Sequence, residues 1–297
     1  NGAATQYGTP TAQYDIGTRG RRSSKSMSST FVAAAEAREA SRLNCSTEDL
    51  ERRSGQPSSP LTATHREVFL SRTGQHIELL VSRPLCSTRP PAAVLYVLDP
   101  YPELFAITCT HLLGRCGYES DENPNVSALR RLAVVGVGHD PADFKAGPHG
   151  WDVGALKALR RRDFLFDRDN AFLSSLAEAV ARAEAFLGLG AAALALHRRA
   201  LLGCSLSSLL TLRTLFDLPG TFGALIAGSP SLPLAPRLLA VARRSPPVAP
   251  DSARDILLVT SEGDSDIDGR ASIASKAAEM AEALRQNGHR ATDVLLA

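Results

Sequence analysis

The chain has 297 residues, of which 44% are hydrophobic and 22% are charged. This composition excludes a wholly disordered chain, a collagen and a small disulfide-stabilised protein, and the length suits one large domain with an additional segment. The net charge of +2 is carried by residues 1–60, which hold eight basic and six acidic residues. The neutral remainder lacks the basic surface that nucleic-acid-binding proteins use, so we expect no nucleic-acid partner.

Two further features exclude other classes of protein. The five cysteines do not follow C-x-x-C spacing, so neither a zinc site nor a disulfide framework is expected, and a reducing, cytoplasmic location is favoured. No apolar run reaches the ~18 residues that a membrane span requires, so we expect no membrane partner. Because the first residue is Asn1 rather than Met, we interpret the chain as a processed or truncated product. We predict no metal and no cofactor.

The N-terminal part of the chain is predicted to be separate from the rest. Residues 1–30 are rich in Gly, Thr, Ser and Arg and lack apolar periodicity, which is typical of a disordered tail. Short Ala/Glu/Arg-rich stretches with helical composition follow, and a Pro/Ser-rich linker ends the segment. The predicted organisation is a disordered or partly helical tail at 1–60 and a folded domain at 61–297.

The folded domain begins with a hairpin pattern, in which alternating segments at 66–70 and 76–81 flank a turn around Gly74. Downstream, apolar runs without alternation, typical of strands covered on both faces, alternate with helical patterns. The predicted strands are 93–98, 132–138, 199–202, 222–226, 256–260 and 292–296, and the predicted helices are 104–116, 171–187, 206–216 and 271–286. This α/β alternation predicts a mostly parallel sheet with helices on both faces and a ligand site at the carboxyl ends of the strands.

Residues 200–209 have the pattern of a nucleophile elbow. A short apolar strand enters a turn of small residues and leaves into an apolar helix, which would expose the hydroxyl of Ser205 above the sheet. Gly203 allows the strand and the helix to approach each other, but Ser207 stands where the second glycine of G-x-S-x-G is expected. Taken alone, the motif fits a serine-rich helix N-terminus equally well.

Six separated segments, in unbroken order along the folded domain, resemble the putative esterase family of α/β hydrolases. This family includes the enterobactin and salmochelin (siderophore) esterases and the S-formylglutathione hydrolases. The segments are 66–77, 94–99, 134–138, 160–164, 203–208 and 226–232, and from the second onwards they are similar to the family's "VLYLLDG", "VVGIG", "RRRDLTP", "GHSLGG" and "AISPSLWW" motifs. The resemblance implies an α/β-hydrolase fold and a serine carboxylic-ester hydrolase that acts on small-molecule esters, of siderophore type or other.

The resemblance also implies roles for individual residues around the predicted elbow. Ser205 takes the position of the nucleophile, and Leu206 supplies one backbone N–H group to the oxyanion hole. The second donor lies in the loop after the strand at 93–98. Tyr101 is the candidate there, because Pro100 and Pro102 have no N–H group.

The remaining triad positions follow the last two strands in the family. The acid falls on the loop after 256–260, where Glu262 is preferred to Asp264, and a merely solvated acidic loop is an equally open interpretation. The histidine follows the last strand, and this chain stops at Ala297, a few residues short of that position. We therefore expect the general base to be missing, which makes a catalytically impaired hydrolase fold acting as a binding protein the alternative function.

Three histidines are to be weighed as replacements for the missing base, and of these His289 cannot easily substitute. His289 precedes the last strand, at the amino edge of the sheet, and is predicted to be a solvated turn residue. His139 and His149 follow the strand at 132–138 at the carboxyl edge and could approach Ser205, although a solvated loop position is the favoured interpretation of both.

The arginine-rich segment is the candidate for substrate binding. Arg160, Arg161 and Arg162 could contact an acidic or catecholate substrate, since guanidinium groups form bidentate contacts with such groups. A solvated charge run is the equally open alternative. Trp151 is a candidate for lining the substrate pocket, with simple packing beneath a loop as its alternative.

Overall fold

The computed structural model describes residues 65–83, 90–100, 105, 131–144, 152–165, 171–189, 194–261 and 272–296. The chain divides into two units, Asn1–Arg53 and Ser54–Ala297, and all described residues belong to the second. Several predictions lie outside the described residues: the tail at 1–60, the helix at 104–116, and the candidate residues Tyr101, His149, Trp151, Glu262 and Asp264.

The described residues form a sheet of eight strands. The strands are β1 (His65–Leu70), β2 (His76–Ser82), β3 (Ala93–Leu98), β4 (Leu132–His139), β5 (Arg199–Cys204), β6 (Ala224–Gly228), β7 (Asp255–Ser261) and β8 (Arg290–Leu296). Their order across the sheet is β1-β2-β4-β3-β5-β6-β7-β8. Strand β2 is antiparallel to both of its neighbours, β1 and β4, whereas every pairing from β4 to β8 is parallel. The predicted mostly parallel sheet is confirmed.

Helices pack on this sheet. Within the described residues the α-helices are α1 (Val153–Phe164), α2 (Ala171–Phe186), α3 (Leu206–Asp217), α4 (Pro236–Arg244) and α5 (Ile273–Gln286). Successive side chains of β3 enter different apolar clusters: Tyr96 joins the main core with Phe172 of α2, and Val97 joins a smaller cluster with Phe105. Because both faces of β3 are buried, its sequence is apolar without alternation.

Most predicted elements are confirmed within a few residues, and the differences have local causes. The sequence does not predict α1, which carries the arginine run near its end. Asp152 caps the N-terminus of this helix, and its carboxylate accepts a hydrogen bond from the backbone N–H of Ala155 at 2.9 Å. Strand β6 begins at Ala224 rather than at Phe222, whose ring packs edge-to-face on Tyr96. No described helix combines the length and apolar character needed to cross a bilayer.

A buried ion pair fastens α2 to the amino end of β5. The guanidinium of Arg199 donates to both carboxylate oxygens of Glu184, at 2.5 and 2.8 Å. The hydroxyl of Tyr96 donates to the same carboxylate at 3.3 Å. Burial, followed by the nearby charge of Glu184, raises the pKa of Tyr96 far above its usual range, so the hydroxyl keeps the proton that it donates.

Candidate active site

Ser205 lies in the sharp turn between β5 and α3, at the carboxyl edge of the sheet. Its side chain is exposed, and its backbone has φ +58° and ψ −116°. A positive φ costs a non-glycine residue about 1–3 kcal/mol and persists only where surrounding contacts hold it. One such contact is the hydrogen bond from the N–H of Ser205 to the carbonyl of Gly228, at 2.8 Å. The geometry is that of a nucleophile elbow, and the role of Ser205 as nucleophile stays a prediction.

Gly203 makes this turn possible. A Cβ atom added at this position would lie 2.5 Å from the carbonyl oxygen of Ser207 and 2.5 Å from Oγ1 of Thr211. Both atoms belong to α3, so the missing side chain lets the helix start directly against β5. The first glycine of the G-x-S-x-G pattern therefore has the packing role expected of it.

Two buried serines replace the glycines that the motif would place after the nucleophile. The hydroxyl of Ser207 donates to the carbonyl of Cys204 at 2.8 Å and accepts from its N–H group at 3.0 Å. The hydroxyl of Ser208 lies 2.8 Å from the carbonyl of Gly203 and 2.7 Å from that of Gly228. The turn accommodates both side chains and uses their hydroxyl groups to satisfy its own backbone.

A second hydroxyl group faces Ser205 across the turn after β6. The Oγ atoms of Ser205 and Ser231 are 3.3 Å apart, and the N–H of Ser231 donates to the carbonyl of Ser205 at 3.4 Å. This turn has a positive φ of its own, 41° at Ser229. The two strained turns are therefore connected at the carboxyl edge of the sheet.

Leu206 is the first residue of α3, next to the Ser205 hydroxyl. The first N–H groups of an α-helix have no carbonyl acceptor within the helix and lie at the positive end of its dipole. The N–H of Leu206 is thus suited to hold an oxyanion formed at Ser205. The predicted partner donor Tyr101 lies outside the described residues.

The described histidines do not stand beside Ser205. His289 precedes β8 at the amino edge, as predicted, but the prediction that it is solvated is wrong: it is 9% exposed, and its Nδ1 accepts from the N–H of Arg254 at 3.2 Å. Burial lowers the pKa of His289, and the charge of Arg254 adds to this effect. His289 is buried because the turn before β8 packs against the start of β7.

His139 ends β4, which is separated from β5 by β3, so the two strand ends are about 10 Å apart. Its Nε2 lies 2.7 Å from a carboxylate oxygen of Asp163, and its ring packs against Phe164 and Phe172. Burial alone would raise the pKa of Asp163, but hydrogen bonds from His139 and Arg162 outweigh it and lower that pKa. His139 is therefore 6% exposed and bound to a carboxylate, not the solvated loop residue favoured from the sequence.

Two members of the arginine run are paired with carboxylates. Arg160 donates to Asp99 at 2.8 Å and Arg162 donates to Asp163 at 2.7 and 2.9 Å, while Arg161 and Arg162 are both exposed to solvent. A pocket of about 350 Å³ opens beside Arg162, lined also by His76, His139 and Asp143 among others. Substrate binding by Arg160, Arg161 and Arg162 stays a prediction, and Trp151 lies outside the described residues.

The acid candidates Glu262 and Asp264 also lie outside the described residues, immediately after β7. Because β5 and β7 run in the same direction, both strands end at the edge that carries Ser205. Within the described residues, no group of three or more His, Cys, Asp or Glu side chains is arranged to hold a metal ion.

The sequence matches no protein-family model and no curated protein. Its structure is similar to that of siderophore hydrolase EstA from Aspergillus nidulans, with a TM-score of 0.58 and 19% identity over 82% of this chain and 89% of that one. It is also similar to the enterobactin and salmochelin hydrolase IroE, with a TM-score of 0.54 and 18% identity over 78% and 85% of the two chains. For siderophore hydrolase EstB from Aspergillus nidulans the TM-score is 0.51 and the identity 20%, over 78% and 80%. The fold is the α/β-hydrolase fold, as the sequence resemblance implied.

The structure also brings together residues that sequence reasoning missed. Ser231 was visible only as part of the "AISPSLWW"-like segment, and Asp163 only as the acid that ends the arginine run. Their contacts with Ser205 and His139 join elements 26 and 24 residues apart, so no local pattern indicates them.

Proposed function

We propose that this chain is a serine ester hydrolase in which Ser205 is the nucleophile and small-molecule esters are the substrates. The observation that carries the proposal is the elbow. An exposed serine at positive φ stands between a strand that packs through Gly203 and the N-terminus of α3. A turn that holds a strained serine at the carboxyl edge of an α/β sheet suits nucleophilic catalysis.

The proposed reaction has two halves. Oγ of Ser205 attacks the ester carbonyl carbon, its proton passes to a general base, and the N–H of Leu206 donates to the negatively charged oxygen that forms. The C–O bond to the alcohol then breaks, the base returns the proton to the leaving alcohol, and an acyl-enzyme remains. Water, deprotonated by the same base, releases the acid and restores Ser205.

The general base and the acid that orients it come from the sequence resemblance. The resemblance implies a histidine after β8 and Glu262 or Asp264 after β7 as its partner. Neither His139, bound to Asp163, nor His289, at the amino edge, suits the role of base. Unassisted, a serine hydroxyl is a poor nucleophile at neutral pH, so turnover depends strongly on that base.

We favour an ester with acidic or catecholate groups, of siderophore type, as the substrate. Two features support this choice: the names of the structural neighbours, and the pocket at the carboxyl edge beside Arg162 and His76. Arginine is suited to bidentate contacts with acidic groups.

A fluorophosphonate probe followed by peptide mass spectrometry tests the proposal without the natural substrate. We expect the label on Ser205, and its loss in Ser205→Ala. Ser252→Ala is the matched control, because Ser252 is exposed beside the start of β7, at the opposite edge of the sheet, and its labelling pattern should equal that of the wild type. Label on other residues with Ser205 unmodified would contradict the proposal.

The alternative, a hydrolase fold that binds ligands without turnover, is favoured by the absence of a histidine beside Ser205 among the described residues. Added imidazole separates the two functions. If the elbow and the oxyanion donor are competent, imidazole should accelerate hydrolysis of a neutral activated ester more in the wild type than in Ser205→Ala, where only the direct reaction of imidazole with the ester remains. Equal acceleration in both proteins would favour the binding function.

A further inference from the structure

A buried ion pair joins α1 to the residue that follows β3. Nε of Arg160 donates to a carboxylate oxygen of Asp99 at 2.8 Å, and the two side chains are 18% and 7% exposed. Asp99 has a positive φ of 52°, and its N–H donates to the carbonyl of Val137 at 3.2 Å. The ion pair therefore holds a strained residue at the point where the chain leaves the sheet.

The carboxylate of Asp99 is buried near the elbow, where Ser207 influences its pKa. Burial raises the pKa of Asp99, and the charge of Arg160, His139 and a hydrogen bond with Ser207 oppose that rise. Ser207 follows the oxyanion donor Leu206 and is itself hydrogen-bonded to the backbone of the turn. Asp99 thus joins α1 to β4, through its ion pair with Arg160 and through its N–H bond to Val137.

The next residue, Pro100, is packed tightly against β4. A Cβ atom added at Gly136 would lie 2.5 Å from Cβ of Pro100, and one added at Gly138 would lie 2.7 Å from its Cδ. The proline ring thus occupies space that only glycine leaves open on β4. Together with the ion pair, this contact holds the turn formed by Asp99 and Pro100 against β4.

We propose that Arg160 is a positioning residue, which acts through Asp99 to hold the turn formed by Asp99 and Pro100 at the carboxyl end of β3. This inference rests on the proposed function, in which the second oxyanion donor, predicted to be Tyr101, directly follows this turn in the sequence. It assigns Arg160 a role other than substrate binding. The guanidinium acts on the reaction by fixing the backbone beside Ser205, and contact with the ester is left to other groups.

The test uses Arg160→Gln, Arg160→Lys, Asp99→Asn and the double variant Asp99→Asn/Arg160→Gln. Two measurements are made on each folded protein: hydrogen–deuterium exchange of a peptide that spans β3 and Asp99, and the rate at which a neutral fluorophosphonate labels Ser205. Arg160→Gln should speed exchange at Asp99 and slow labelling by about tenfold or more, short of the ~10²–10³ that follows complete loss of an oxyanion donor. Arg160→Lys keeps the positive charge and a hydrogen-bond donor, so its labelling rate and its exchange at Asp99 should lie between those of Arg160→Gln and the wild type.

The matched control is Arg199→Lys, at the other buried arginine–carboxylate pair. It should lower the melting temperature while leaving the labelling rate of folded molecules and the exchange at Asp99 unchanged. In the Asp99→Asn background, Arg160→Gln should change labelling by less than about twofold, because the residue through which it acts is already altered.

The proposal would be overturned if Arg160→Gln slowed the labelling of Ser205 equally with Asp and with Asn at position 99. It would also be overturned if hydrogen–deuterium exchange at Asp99 in Arg160→Gln were as slow as in the wild type. A role in substrate binding would instead raise KM for anionic esters alone. Unlabelled Ser205 in the wild type would refute the proposed function, whereas the exchange measurement decides the link between Arg160 and Asp99 independently of it.

Discussion

Two buried arginine–carboxylate pairs lie at opposite ends of the central strands. At the amino end, Arg199 and Glu184 are 11% and 9% exposed, and at the carboxyl end, Arg160 and Asp99 are 18% and 7% exposed. Their chemistry and burial are alike, but their surroundings differ. Arg199 and Glu184 both belong to regular elements, β5 and α2, whereas Asp99 lies beyond the end of β3 at a positive φ.

This difference in backbone context separates the consequences of the two pairs. A pair between a helix and a strand holds packed elements together, so its loss affects the free energy of unfolding. A pair that ends on a strained turn holds a local geometry, so its loss affects the position of the neighbouring groups. Both ends carry the same kind of ionic contact. Whether its loss affects the free energy of unfolding or the local geometry depends on the backbone that the contact restrains.

The largest effect on stability is expected at the amino end. Glu184→Gln would leave Arg199 buried without a charged partner and weaken the contact with Tyr96, which should cost about 3–5 kcal/mol of the free energy of unfolding. Urea unfolding measures this loss, and the rate at which Ser205 is labelled in the remaining folded protein should be unchanged. A loss below about 1 kcal/mol would show that the pair is replaceable there.

A smaller effect is expected from a third carboxylate, Asp163, which accepts hydrogen bonds from His139, Arg162 and Gln75. Because its folded-state pKa is lowered, its contribution to stability is complete above the unfolded value of about 3.9 and is lost as pH falls through the folded value. Asp163→Asn should therefore be destabilised by about 2–3 kcal/mol at neutral pH.

The pH dependence of stability distinguishes Asp163 from Asp99, the two carboxylates at the carboxyl edge of the sheet. The stability difference between wild type and Asp163→Asn should shrink as pH falls below about 4. Asp99 has a raised folded-state pKa, so protonation at low pH should favour the folded state at that site, and Asp99→Asn should not show the same convergence. Unfolding curves across this pH range would contradict the assignment if both variants converged alike.

The smallest loss of stability is expected at Ser208, whose neutral hydroxyl group holds the elbow. Ser208→Ala removes a hydroxyl that lies within hydrogen-bond distance of the carbonyls of Gly203 and Gly228, and should cost about 1–2 kcal/mol. This loss should not depend on pH between about 5 and 8, since no ionised group is involved. A loss as large as that of Glu184→Gln would mean that the buried charges contribute no more than a neutral contact.

Local patterns were sufficient to predict most regular elements of the described domain. Strand β3 is predictable from its apolar run because both of its faces are buried. The turn at Gly203 and Ser205 is predictable because strand, small residues and helix follow one another directly. The arginine run hid the end of α1, since three adjacent charges are also typical of a solvated loop.

The sequence by itself determined the alternation of strands and helices, and with it the α/β sheet and the edge at which Ser205 stands, because periodicity and turn residues act over short distances. Tertiary structure alone decided which polar side chains meet. Asp99 with Arg160, His139 with Asp163 and Ser205 with Ser231 are 61, 24 and 26 residues apart. Such partners meet only when the strand order β4-β3-β5-β6 brings their elements to one edge, and strand order is a property of the packed sheet that no local pattern encodes.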